Sequence, residues 1–421
     1  MLLTTREREE VLEALDGIAA LALLLAVAVA GGWVTGRVGL PPLLGMLLAG
    51  IAVRNWPGEL LAGLPDSWSI VLRLIALTII LLRAGLGLNL TVLLELRGSL
   101  LRLSFLPNLS EAATVALVAR LLLDLPLAWG LLLGFVVAAV SPAVVVPSLL
   151  DLQQRGYGVG KGIPTLVLAS ATFDDVVSIT GFGAMLSVVF ADRGEASIVE
   201  SLVRAPVELA AGLVAGLVAG GMCAVAARAP SWVRFGLLLG LGLAAVFGGW
   251  AIGFAGGGSL AAMTMGAVSG RAWGGSFDAV AKGLARSWTV AQPILFGLIG
   301  AAVALSAVEP SYVRNGLLIL AIGLAVRVLV TYHSTSESYF SFQERLFIAL
   351  AWIPKATVQA AIGALALDLA RQYESGPQDE IRGIQIVTIA VLAILVTAPI
   401  GAVAIAWTGP RWLERHVETS D

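Results

Sequence analysis

Apolar residues run along this chain in long unbroken stretches, without the alternation of a half-buried strand. Between about residue 17 and residue 408, short polar, Gly/Pro or charged breaks cut these stretches into thirteen spans, near 17–35, 38–54, 68–87, 97–123, 126–150, 163–190, 203–228, 231–251, 258–272, 285–306, 313–333, 345–368 and 383–408. A helix crosses the ~30 Å hydrocarbon layer with roughly 20 apolar residues, and the spans recur at about that length. Lipid offers backbone groups no partner, so continuous apolar runs of this kind form helices and not a barrel. The pattern predicts an all-α polytopic membrane protein of about thirteen transmembrane helices. An odd count puts the termini on opposite sides. The odd-numbered loops are the richer in Lys and Arg (Arg155, Lys161, Arg271, Lys282, Arg286), which predicts a cytoplasmic C-terminus in a multi-pass protein of the cell (inner or plasma) membrane.

Composition agrees. Of 421 residues, 58% are hydrophobic and 13% charged, with mean hydropathy +0.93, whereas a soluble domain is about a quarter charged. The net charge of −2 says little by itself, and no nucleic-acid partner is expected. A single cysteine, Cys223, forms no internal disulfide, and two histidines, His333 and His416, cannot build a zinc or haem site, so no cofactor is expected. The acidic segment 1–16 lacks the basic start of a cleavable signal, and the tail 409–421 is too short for a regulatory domain, so function is expected to reside in the membrane.

Two spans are interrupted in the same way. Span 5 carries Ser141, Pro142 and Pro147 within seven residues, and span 12 carries Ile353, Pro354 and Lys355. Proline removes a donor and frees a carbonyl. Seven spans separate the two breaks, so the broken spans run in opposite directions, as an inverted repeat requires. Transporters of that design bind their cargo at the midplane, between half-helix ends and unwound carbonyls. The run Gly253–Ser259 lacks the Gly-Lys-Ser/Thr ending of a phosphate loop and is expected to be a tight turn, while Gly212, Gly216 and Gly220 form a small-residue packing face on span 7.

Charge inside the membrane carries the chemistry. Five ionisable residues lie deep in spans: Glu111, Asp174, Asp175, Arg327 and Lys355. Each costs on the order of 2.5–3.5 kcal/mol if unpaired, so such residues mark function by default. A purely structural network closes at zero charge. Here three carboxylates face two cations, and the surplus carboxylate suits a hard cation such as Na⁺ or Li⁺, with H⁺ as its competitor. Asp174 and Asp175 project about 100° apart on a helix and need separate partners. Lys355, beside a break, can offer its ammonium to one of them and leave the other for the cation and the broken-helix carbonyls. Glu111 and Arg327, again seven spans apart, pair as a fixed brace, since Arg keeps its charge. Thr172 can lend a hydroxyl to the ion, against the commoner bond to its own backbone. Arg73, Arg83 and Arg120 are expected to snorkel to an interface, and Glu208 to lie at headgroup depth beside Arg204.

The stretches SFLPNLSEA around Glu111, GFVVAAVSPAVVVPSLLDLQQRGYGV, KGIPTLVLASATFDDVVSITGF, QPILFGLIGA and AWIPKATVQAAIGALALD resemble the NHA-type sodium/proton antiporters of the monovalent cation:proton antiporter superfamily. The likeness runs from about residue 80 to 408. It implies a core of spans 4–6 (97–190) and 11–13 (313–408), with crossed discontinuous helices at Ser141, Pro142, Pro147 and Pro354. It further implies a dimerisation panel of spans 1–3 (17–90) and 8–10 (231–306), joined by a linker helix (203–228). By the same likeness Asp175 is the main carrier of cation and proton, Asp174 is its neighbour that interacts with Lys355 and joins it as a ligand for Na⁺ or Li⁺, and Glu111 with Arg327 is the core salt bridge. The chain begins almost at its first span, whereas animal relatives carry an extension and one more helix. The resemblance implies a homodimer that exchanges Na⁺ or Li⁺ for H⁺ by an elevator-type movement, and not an enzyme. A K⁺/H⁺ antiporter and a sodium-coupled organic-solute symporter are the alternatives. An intramembrane aspartyl protease is disfavoured, because adjacent aspartates on one helix cannot converge on one water.

Overall fold

Proline sets where many of the helices begin. Pro42, Pro142, Pro310 and Pro377 each stand in a first helical turn, where the missing N–H is not needed and the fixed φ suits the helix. The computed structural model describes residues 5–88, 97–190, 198–336 and 339–415. In order these form α1 (Thr5–Arg37), α2 (Pro42–Arg54), α3 (Asp66–Leu86) and α4 (Arg97–Leu123); α5a (Leu127–Ala138) and α5b (Pro142–Gln154); α6 (Ile163–Phe190), α7 (Ile198–Val225), α8 (Ser231–Ala251), α9 (Ala255–Trp273), α10 (Asp278–Ala301) and α11 (Pro310–Ser334); α12a (Phe342–Ala351), α12b (Thr357–Ile362) and α12c (Leu365–Gln372); and α13 (Pro377–Trp412). Among the described residues the fold is all-α, with thirteen helical spans as the hydropathy pattern predicts. Nine helices among the described residues are long and apolar enough to cross a bilayer. No strand occurs among the described residues, and the one isolated bridge pairs Tyr157 with Arg415.

The helices pack as two groups. Helices α4, α5, α6, α11, α12 and α13 contact one another, as do α1, α2, α3, α8, α9 and α10, while α7 lies on α9 and touches α6. The α7 glycines explain its close fit. A Cβ at Gly212 would overlap the backbone of Gly257, and one at Gly216 would come within 2.6 Å of the Ala261 carbonyl, so only small residues allow this approach.

Three local expectations change. The run after Gly253 is not a turn throughout. Gly253 alone turns, at φ +71°, and Gly256, Gly257 and Gly258 lie in the first turns of α9, packed against Thr180, Glu208 and Ala245. Glycine costs a helix only about 1 kcal/mol, which close packing offsets. Pro147 does not break span 5, because α5b runs through it. A single lost hydrogen bond does not unwind a membrane helix whose remaining backbone groups have no other partner. Span 12 is interrupted twice, at Trp352–Ala356 and again at Gly363–Ala364.

Candidate functional site

The two breaks meet. A residue before proline is held extended, and Ser141, before Pro142, has φ −97° and ψ 109°. Its N–H donates to the carbonyl of Pro354 at 2.8 Å, and its hydroxyl accepts from the Thr357 N–H at 3.4 Å. The Lys355 N–H donates to Thr397 Oγ1 of α13 at 2.8 Å. Gly401 leaves room for the Pro354 ring, since a Cβ there would fall on it. One end of each half-helix thus carries unpaired backbone groups, which need side-chain partners when buried. At the C-terminus of α5a these partners come from the other repeat. Gln359 Nε2 donates to Val136 O at 2.8 Å and Ala139 O at 2.9 Å, and Lys355 Nζ donates to Ala138 O at 3.0 Å, where Arg327 also donates. These carbonyls, expected to face a cation, are occupied by N–H donors.

The five deep charges gather beside this crossing. Glu111, Asp174, Arg327 and Lys355 are fully buried and Asp175 is 5% exposed. Arg327 reaches Glu111 Oε2 at 2.6 Å with one nitrogen and Asp174 Oδ1 at 2.8 Å with another. The expected Glu111–Arg327 brace is therefore present. The resemblance implies an interaction of Lys355 with Asp174; the two act on each other only through space, and the direct ion pair of Lys355 is with Glu111. Lys355 Nζ lies 2.8 Å from Glu111 Oε2. The reason is geometric: a planar guanidinium fork spans two carboxylates, whereas an ammonium is a point charge on a flexible stem. Asp174 is already filled, with Oδ1 on Arg327 and Oδ2 accepting from the Val140 N–H at 3.0 Å, at the break itself. Asp175 has no cation partner among the described residues, and its Oδ1 is buried without a hydrogen bond. Three carboxylates and two cations leave this one carboxylate unanswered.

The remaining candidates sort by position. Thr172 lies on α6, and its hydroxyl donates to the Leu168 carbonyl at 3.0 Å, one turn back. Asn108 and Gln359 were not singled out in the sequence, although both stand as polar residues inside apolar spans, which is the signal that finds them. Asn108 joins α4 to α6 by donating to the Asp174 carbonyl at 3.0 Å and Ser178 Oγ at 2.7 Å. Arg83 and Arg120 are exposed, whereas Arg73, expected with them to snorkel, is buried. It is 2% exposed and paired with Asp368 of α12c, a partner nearly three hundred residues away that local sequence cannot reveal. Glu208 is buried and accepts from the Gly257 N–H at 3.0 Å, while the side chain of Arg204 lies outside the described residues. At the end holding the C-terminus, Lys161 bridges Glu344 at 2.9 Å and Glu414 at 3.2 Å. Its ammonium is held above the usual lysine range, first by the hydrogen bond it donates to Glu344.

Comparison with known proteins agrees with this architecture. The family model described as sodium/hydrogen exchanger, transmembrane, matches residues 23–409. The chain is 43% identical to sodium/hydrogen exchanger 9B2 of Bison bison bison over 411 residues, covering 95% of this chain and 76% of that protein. It is also 43% identical to human sodium/hydrogen exchanger 9B2 over 406 residues, covering 93% and 74%. The fold is similar to that of the sodium proton antiporter MjNhaP1 from Methanocaldococcus jannaschii, with TM-score 0.79, 19% identity and coverage of 95% of this chain and 99% of that one.

Proposed function

Because the chain belongs to the transmembrane sodium/hydrogen exchanger family, a family of transporters that are not enzymes and use no cofactor, we propose that it exchanges Na⁺ or Li⁺ for H⁺ at Asp175. The observation that carries this is the unanswered charge: Arg327 and Lys355 are committed to Glu111 and Asp174, and of the five deep charges Asp175 keeps a buried carboxylate with no cation beside it among the described residues. A bare carboxylate in a low-dielectric interior is costly, so it takes either a metal cation or a proton. Since one group serves both, the two ions compete, and competition at a single site couples their fluxes. Asp174 then works as the neighbour that anchors Arg327 and the Val140 N–H. Thr172 stands one turn from Asp175 on the same helix as an additional oxygen.

The moving body in this reading is the core of α4–α6 and α11–α13, sliding as an elevator against a panel of α1–α3 and α8–α10, with α7 as linker. The panel is the homodimer face, and the C-terminus lies in the cytoplasm. Backbone and side-chain bonds that join the two breaks support movement of the core as one piece. Reconstituted in proteoliposomes, Asp175→Asn is expected to lose cation-dependent proton flux with Na⁺ and Li⁺ alike. Parent flux retained by that variant would remove Asp175 from the mechanism, and parent flux driven equally well by K⁺ would replace the ion.

A further inference from the structure

At the end of the molecule opposite the C-terminus, a cavity of about 70 Å³ lies where the two helix groups meet. Arg54 at the end of α2, Ser69 and Arg73 of α3, and Asp368 and Arg371 of α12c line it. Among the described residues three guanidinium groups therefore face one carboxylate. Arg371 has Glu380 at 2.9 Å, but Glu380 is not part of the lining, and Arg54 has no carboxylate partner among the described residues. Arg73, 2% exposed, donates to Asp368 from one nitrogen, while its Nε–H is buried and donates to nothing.

A lining of this sign repels Na⁺ and is not a cation entrance. The lining holds more guanidinium than carboxylate, and the buried Arg73 Nε–H lacks an acceptor, so an anion in the cavity would gain both opposite charge and a free donor. Guanidinium presents parallel N–H donors that match the spacing of phosphate oxygens. About 10–15 Å³ holds one water, so the space admits a group larger than water and of roughly phosphate size. We propose that this cavity is a binding site for a phosphate-type anion, held by Arg54, Arg73 and Arg371, with the Ser69 hydroxyl as a further donor. The same chemistry comes from free inorganic phosphate or from the headgroup of an anionic lipid entering at the seam. Neither source requires the exchange mechanism, and the site is distinct from Asp175.

Thermal unfolding of the full chain in detergent tests the proposal apart from transport. The protein is titrated with inorganic phosphate at constant ionic strength and, separately, with phosphatidate added to phosphatidylcholine. A saturable rise in Tm is expected, with its midpoint shifted at least tenfold upward in the Arg54→Gln, Arg371→Gln double variant and largely kept in Arg54→Lys. Both altered positions are exposed in the structure, and Arg73 is untouched so that Asp368 keeps its partner. Saturation with phosphate assigns a free anion, and saturation with phosphatidate alone assigns a lipid headgroup. Phosphate also stabilises proteins through surface exclusion, so a rise of equal size and midpoint in the double variant, or no saturable rise with either ligand, would overturn the site.

Discussion

Glu111 is the anion on which two buried cations converge, and replacing it with Gln exposes what the brace contributes. Arg327 at 2.6 Å and Lys355 at 2.8 Å share its Oε2, and all three side chains are fully buried. A hydrogen bond to a charged group contributes about 1.5–3 kcal/mol, and removing one partner of a buried pair costs about 3–5 kcal/mol because the other charge is stranded. Gln keeps an oxygen of similar position but no charge, which puts the loss near the lower end, about 3 kcal/mol. With roughly 2 °C per kcal/mol at the large-domain end of the usual scale, the melting temperature falls by about 6 °C. Asp175→Asn breaks no ion pair, so its melting temperature stays within about 1–2 °C of the parent. Both variants are melted in the same detergent at the same salt, followed by intrinsic tryptophan fluorescence. If Glu111→Gln melts with the parent, the brace contributes nothing. If Asp175→Asn falls as far as Glu111→Gln, then Asp175 belongs to the structural network and its charge was not free for an ion.

Further outcomes follow from neighbouring contacts. Gln359→Leu strands the Val136 and Ala139 carbonyls at a cost of ~1–3 kcal/mol each. It is expected to lower the melting temperature and slow exchange, whereas Gln359→Asn, one methylene short, falls between; a melt unchanged by Leu would show that the amide is dispensable. Gly401→Val forces side-chain carbon onto the Pro354 ring, an overpacking cost of about 1–3 kcal/mol, and exchange in proteoliposomes is expected to fall more than with Gly401→Ala. Lys161, raised by its bond to Glu344, contributes stability that is fully present below the ordinary lysine value of 10.5 and is lost as pH rises through its elevated folded value. Lys161→Gln is therefore expected to melt below the parent at pH 7 to 9, with the gap closing above about pH 10.5; a gap that widens with alkaline pH would contradict this sign.

What could be seen in the sequence was whatever depends on local pattern. Span length and continuity gave the thirteen helices, and Ser141–Pro142 with Ile353–Pro354 marked both breaks, because the restriction proline imposes is carried by the chain itself. The count of buried charges likewise needs only positions along spans, and its surplus of one carboxylate reappears as the unpaired Asp175. Which cation meets which carboxylate depends on geometry between distant helices. The placement of Lys355 on Glu111 and of Arg73 on Asp368 was out of reach for that reason, and so was the second interruption at Gly363, since an isolated glycine in an apolar run looks the same whether or not the helix pauses there. The use of Gln359 on the Val136 and Ala139 carbonyls at the end of α5a had a visible signal, a polar residue within an apolar run, whose partner only the fold supplies.

The pairing of the deep charges has a consequence for how the protein is made. Glu111 and Arg327 are 216 residues apart, and Glu111 and Lys355 are 244 apart. At about 5–20 residues per second of synthesis, roughly 10–50 s pass between the appearance of the α4 carboxylate and that of its cations, and about 8–30 s for Asp174 of α6, which lies 153 residues before Arg327. For that interval the first repeat waits at the insertion machinery with acids that have no partner. Nascent chains halted before residue 327 are then less firmly inserted than chains halted after residue 355, and the late arrival of α11 and α12 is the event that lets the first half settle in lipid.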